Sequence, residues 1–237
     1  MSVAVTAVVH LVGAGPGDLM LLTRRAAQLL AVADVVVCDR RSLAPIVALA
    51  PAGAERIFVG RTDGHAAWDT ERTADLLAAR ARAGRMVVRL KGGDPFVCSR
   101  GGEEMLALIE RGVLCQVTSG VTAATAAPLA AGLPRGRTVT IVAGNDDPVY
   151  PPTDVAALAD PLGSLVVMVG RARQGSIAAS LVGAGGLDPG TPAAVVHGAT
   201  RDGVRIVHTC LAALGDHRLP PPSTVVVGPE SKVHAHT

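Results

Sequence analysis

Short apolar runs alternate with stretches of helical hydrophobic spacing through the first half of the chain. Residues 6–12 (TAVVHLV), 34–38 (DVVVC), 55–59 (ERIFV), 86–91 (MVVRLK) and 113–118 read as buried strands. Between them, residues 20–32 place Leu21, Leu22, Ala26, Leu29 and Leu30 on one helical face. Residues 67–83, Glu103 to Arg111, and the Ala-rich 121–131 also read as helices. Strand–helix alternation of this kind predicts a mostly parallel sheet wrapped by helices. After Gly132-Leu133-Pro134 the strands crowd together, at 138–143, 164–169, 192–197, 203–208 and 223–228. Helices are expected at 154–160, 174–183 and 209–215, too few to cross over every strand, so this sheet should be mixed. The pattern predicts an α/β chain that changes character at 133/134, and its length suits two small lobes, residues 1–133 and 134–237, as easily as one large domain.

Composition narrows the function classes. A chain of 237 residues with 49% hydrophobic residues buries a sizeable core, and 18% charged residues rule out a polyelectrolyte. Aromatics are only 2%, too few for the stacking platforms of a single-stranded nucleic-acid binder, and a net charge of +2 steers no strongly charged partner. Lys91 and Lys232 are the only lysines among 22 basic residues. Codon bias explains that, and so does a need for bidentate carboxylate binding. Cys38, Cys98, Cys115 and Cys210 lack metal or redox spacing, so no metal is expected. No signal-peptide pattern opens the chain, and no apolar run reaches the roughly 18–20 residues of a membrane span. A cytoplasmic protein with reduced thiols and no membrane partner is the expectation.

Two glycine-rich turns follow predicted strands. The first is Gly13-Ala14-Gly15-Pro16-Gly17-Asp18. Glycines at a strand's carboxyl end let backbone approach a ligand. A dinucleotide fingerprint competes for this turn, with Asp39 about where a ribose-binding acid belongs. It wants glycine where Asp18 stands, and Pro16 removes an N–H that a pyrophosphate would use. The second turn is Arg89-Leu90-Lys91-Gly92-Gly93-Asp94-Pro95-Phe96. It is either a structural turn or a carboxylate offered to ribose hydroxyls or a cationic ligand.

Val12-Gly13-Ala14-Gly15-Pro16-Gly17-Asp18 with Leu21-Leu22-Thr23 resembles the opening motif of the tetrapyrrole methylases. Residues Val88 to Phe96, then Ser99-Arg100-Gly101-Gly102-Glu103-Glu104, resemble the second signature of the uroporphyrinogen-III C-methyltransferase branch. Gly120-Val121-Thr122-Ala123, Met168-Val169-Gly170 and Pro192 to Val196 match later family positions in order, so the resemblance spans about residues 8–228. It implies a two-lobed homodimeric enzyme that holds S-adenosyl-L-methionine in a cleft between lobes and releases S-adenosyl-L-homocysteine. By position, Pro16, Gly92, Gly93, Asp94, Thr122, Ala123, Met168 and Ala194 would line the donor site; ordinary strand packing is the other reading of Met168 and Ala194. The implied reaction methylates C2 and C7 of uroporphyrinogen III to precorrin-2, toward sirohaem and cobalamin. Arg100 and Glu103, i and i+3 at a helix start, are candidates for substrate orientation and proton handling, or else a solvated pair. Asp39 matches a family position near substrate, or caps the next helix. Arg40, Arg41, Arg61, Arg135 and Arg137 are the candidate partners for the substrate's eight carboxylates.

The departures from the family pattern gather on the substrate side. Cys38-Asp39-Arg40-Arg41 stands where the family has Tyr-Asp-x-Leu, and Arg135-Gly136-Arg137 lies near the place of a Thr-His-Arg segment. A paralogous methyltransferase for another tetrapyrrole, or a weakly active homologue, is therefore the alternative, with a nicotinamide-dependent oxidoreductase or a non-catalytic donor-binding protein behind it.

Overall fold

The computed structural model describes residues 7–60, 68–133, 137–144, 154–169, 174–198, 204–217 and 223–228. The chain divides into two compact units, Met1–Thr122 and Ala123–Thr237.

The first unit carries a five-stranded sheet in the order β3-β2-β4-β1-β5, from β1 (Val8–Gly13), β2 (Val35–Cys38), β3 (Glu55–Phe58), β4 (Val87–Lys91) and β5 (Leu114–Thr118). Every pairing is parallel, as the alternating pattern predicts. Parallel strands are covered on both faces, which is why β2 and β4 are buried along their whole length. Alternate residues serve opposite layers. Val36, Val88 and Leu90 pack with Leu29 and Leu30 of α1 (Arg24–Ala31) and Ile46 of α2 (Ala44–Val47). Val35, Val37 and Val87 pack with Leu77 of α3 (Thr70–Arg82) and Leu108 of α4 (Gly101–Glu110). Arg89 and Lys91, two and four residues past Val87, point to the α3–α4 layer, and that placement builds the site.

The second unit holds a mixed sheet in the order β6-β7-β10-β8-β9, from β6 (Val139–Ala143), β7 (Ser164–Val169), β8 (Pro192–His197), β9 (Arg205–Cys210) and β10 (Ser223–Val227). Only β6 and β7 are parallel; the other three pairings are antiparallel. Helix α5 (Ala123–Ala130) packs on β7, β8 and β10. The division of the chain therefore falls ahead of α5, where the sequence pattern placed it after. Helix α6 is Gln174–Val182.

Several elements differ from expectation. The helix expected at 20–32 is a 3-10 turn, Leu19–Leu21, then α1, because Asp18 and Thr23 each cap a separate start. Residues 156–158 and Leu211–Asp216 are 3-10 rather than α-helical. In the second case Gly215 lies against Gly175 of α6, and a Cβ there would stand 3.1 Å from the Gly175 Cα. The 3-10 turn Arg41–Leu43 and helix α2 fill a stretch left without an element.

Candidate active site

The carboxyl ends of β1, β4 and β5 are joined by main chain. The Ala14 N–H donates to the Lys91 carbonyl at 2.7 Å, and Gly15 and Gly93 exchange N–H bonds of 3.1 and 2.8 Å. Both glycines have left-handed φ, +71° and +70°, where a side chain would be strained. Gly120, just past β5, presses against the Gly93 carbonyl and Gly13, leaving no room for a Cβ. The Asp94 carboxylate is part of this scaffold: Oδ2 accepts from the Gly120 N–H at 3.1 Å and Oδ1 from the Phe96 N–H at 2.8 Å. Asp18 is likewise a cap, accepting from the Met20 N–H at 2.8 Å. Because α1 starts only at Arg24, no helix N-terminus opens at the glycine turn to receive a pyrophosphate. That removes the main support for a dinucleotide loop.

Behind the second turn lies a buried ion network. Glu104 of α4 takes a two-pronged bond from Arg89, Nε to Oε2 at 2.9 Å and Nη2 to Oε1 at 2.8 Å, and a bond from Lys91 Nζ at 2.7 Å. Asp39, at the end of β2, stands farther off: its Oδ2 is 3.5 Å from Arg89 Nη2 and 3.8 Å from Lys91 Nζ. Asp39 Oδ1 is buried without a hydrogen-bond partner among the described residues. Burial alone would raise both carboxyls, but the neighbouring cations outweigh it: Arg89 and Lys91 for Glu104, those two and Arg40 for Asp39. Both stay below the ordinary carboxylate range. Burial, then Arg89, pushes Lys91 below its usual value against the pull of Glu104 and Asp39.

The other candidates are placed as follows. The Arg40 side chain lies over Gly92, whose Cβ would come 3.4 Å from Arg40 Cδ and Nε. Arg41 stacks on the Phe58 ring, 4.8 Å from its centre. Arg137 is exposed, and Arg61, Arg135 and Gly170 lie outside the described residues. Arg100 Nε and Glu103 Oε2 pair at 3.7 Å on one face of the α4 start, where Arg100 is left-handed at φ 56°. Pro16 is buried, while Gly92, Gly93, Thr122 and Ala123 are half-buried. In the second unit Met168 of β7 is half-buried, with the Thr224 hydroxyl 3.8 Å from its sulfur. Ala194 is fully buried in β8 and opens no surface.

Residues 8–215 match the family model of Tetrapyrrole (Corrin/Porphyrin) Methylases. The chain belongs to the tetrapyrrole methylase family. A uroporphyrinogen-III C-methyltransferase of Methanobacterium ivanovii is 38% identical over 93% of this chain and 96% of its own. Siroheme synthase 1 of Klebsiella pneumoniae is 39% identical over 97% of this chain, which spans about half, 50%, of that longer relative. The crystal structure of a Thermus thermophilus uroporphyrin-III C-methyl transferase complexed with S-adenyl homocysteine superposes with a TM-score of 0.81 at 37% identity, covering 97% of this chain and 95% of that one.

In this tetrapyrrole methylase the sequence motifs located both glycine turns but passed over Arg89, Lys91 and Glu104 as a unit. Two signals pointed to them. Arg89 and Lys91 interrupt an apolar strand at i and i+2, on one face. Glu104 stands three and four residues before the buried Ala107 and Leu108, in phase with the helix's apolar stripe, while Glu103 is off it.

Proposed function

We propose that the chain transfers methyl groups from S-adenosyl-L-methionine to C2 and C7 of uroporphyrinogen III, forming precorrin-2. The observation that carries this reading is the match to the Methanobacterium enzyme along nearly the whole of both chains. The donor supplies an electrophilic sulfonium methyl when bound. The residues present suit it: Gly92 and Gly93 offer bare backbone beside buried Pro16, and half-buried Met168 offers a soft apolar contact for a nucleoside base. Pro16, Gly92, Gly93, Asp94, Thr122, Ala123 and Met168 form the donor set of the proposal, with Asp94 acting by holding the turn.

The chain's part in the chemistry is alignment and proton handling. As a ring carbon gains its methyl, the carbon–carbon bond forms while the sulfur–methyl bond breaks, and the electron pair stays on sulfur to give S-adenosyl-L-homocysteine. The ring then carries a positive charge that it sheds as a proton. Asp39, part-exposed and ionised, accepts that proton. Arg40, Arg41, Arg100 and Arg137, exposed as they are, bind the substrate's carboxylates, with Glu103 orienting Arg100. The proposed setting is a cytoplasmic homodimer, for which light scattering should give a mass twice that of the chain.

Mass spectrometry after incubation with uroporphyrinogen III and the donor tests the reaction. Two methyl additions are expected; no addition with donor bound overturns the acceptor. The substrate-side changes at Cys38-Asp39-Arg40-Arg41 favour one second reading, methylation of a different tetrapyrrole, which labelled donor and a precorrin panel would expose.

A further inference from the structure

The short hydrogen bonds of the buried network are unevenly shared. Three of them, 2.7–2.9 Å long, run from Arg89 and Lys91 to Glu104. Asp39 receives none of that length, only contacts of 3.5 and 3.8 Å, although it sits opposite the same two cations. A carboxylate so placed feels both charges, while Oδ2 accepts only a long bond of 3.5 Å from Arg89 Nη2 and Oδ1 has no hydrogen-bond partner among the described residues. We propose that Glu104, Arg89 and Lys91 are positioning residues for Asp39: Glu104 occupies the cations' donors, so Asp39 stays ionised yet open to a proton.

The proposal rests on Asp39 as the proton acceptor of the methyl transfer. It explains why two cations and a second acid are buried beneath one carboxylate. Without them, burial would favour the protonated acid, which accepts nothing. With the cations but without Glu104, their N–H groups would turn to Asp39 and block its oxygens. Among the described residues, the titratable and charged groups facing Asp39 are Arg89 and Lys91 from β4, and Arg40 and Cys38 beside it in the chain; β3's end meets its main chain through Gly60. Burial, then the charge of Asp39, raises the Cys38 thiol, so Cys38 brings no second anion.

Lys91→Met tests the idea because Glu104 keeps its two-pronged bond to Arg89. With the full chain, kcat is measured from pH 3 to 8, at every pH where circular dichroism shows the chain folded, beside wild type, Lys91→Arg and Asp39→Asn. Removing one of two cations should move the acid limb up by about one pH unit or more, with donor affinity within roughly twofold of wild type. Lys91→Arg should restore the limb, and adding Asp39→Asn to Lys91→Met should abolish it. A uniform loss of kcat with an unmoved limb overturns the proposal, as does a limb that survives Asp39→Asn. Should Lys91→Met fail to fold, carbon NMR of the Asp39 carboxyl in the wild-type chain decides: a midpoint below the ordinary carboxylate value is expected, and one at or above it overturns the proposal. Wild type without methyl transfer, or Asp39→Asn at full activity, overturns the parent reading instead.

Discussion

Asp94 shows how a residue's chemistry changes once its neighbours are known. In the sequence it is a charge at the end of a glycine turn. In the fold, both oxygens accept main-chain N–H bonds, from Phe96 and Gly120. Its charge is spent on holding β4's turn to β5's end. Asp94→Asn retains one acceptor oxygen, so it should weaken S-adenosylhomocysteine binding less than Asp94→Ala, which removes both bonds at about 1 kcal/mol each. Calorimetry separates the readings, because a direct charge contact would make the two variants equal. Gly120 is the complementary case, where a missing side chain is what the packing requires. Its Cβ would strike the Gly93 carbonyl and the Gly13 backbone. Gly120→Ala should cost about 1–3 kcal/mol by overpacking and lower donor affinity at least tenfold. Thermal unfolding and calorimetry on one sample check both effects.

At the scale of elements, helix starts were harder to place than strands. The β2 and β4 runs are apolar on both faces, and that continuity marks them in any register. The first helix instead has two caps close together. Thr23 Oγ1 accepts from the Ala26 N–H at 3.2 Å, which restarts the helix after the turn capped by Asp18. Thr23→Ala should remove about 1 kcal/mol of stability, read as a lower urea midpoint with an unchanged slope. Helix α4 shows what a residue pattern leaves open. Glu103 and Glu104 are adjacent acids, and only the partner surface decides which turns inward. The buried Ala107 and Leu108 reveal the helical phase, but the reason a carboxylate is tolerated there is the pair Arg89 and Lys91 on β4, the strand before the helix. Chemistry carried by one motif was legible; chemistry assembled from β2, β4 and α4 needed the fold.

Across the whole molecule, the buried network ties stability to pH. Glu104 and Asp39 titrate below their unfolded values, so the folded state binds fewer protons than the unfolded state near pH 4. Their contribution is present above the unfolded carboxylate range of about 4 and is lost as pH falls through the folded values. Glu104→Gln leaves Arg89 and Lys91 without their shared anion, at about 3–5 kcal/mol at neutral pH. Denaturation curves between pH 7 and 3 should show wild type losing stability steeply at the acid end and the variant losing less. The acid-sensitive part of the fold is then also the part beneath the proposed base. The bridge between Gly15 and Gly93 has a different reach. A turn welded from peptide groups, with its glycines forced by geometry, has almost no substitutions available to it. Arg40 and Arg41, next along the chain from Asp39, are exposed, and no left-handed backbone fixes their identity as it does for the glycines. On the proposed function, an engineer would re-specify the acceptor at Arg41 first, because Arg40 lies over Gly92 and a change there reaches the turn, and a lineage could drift by the same route.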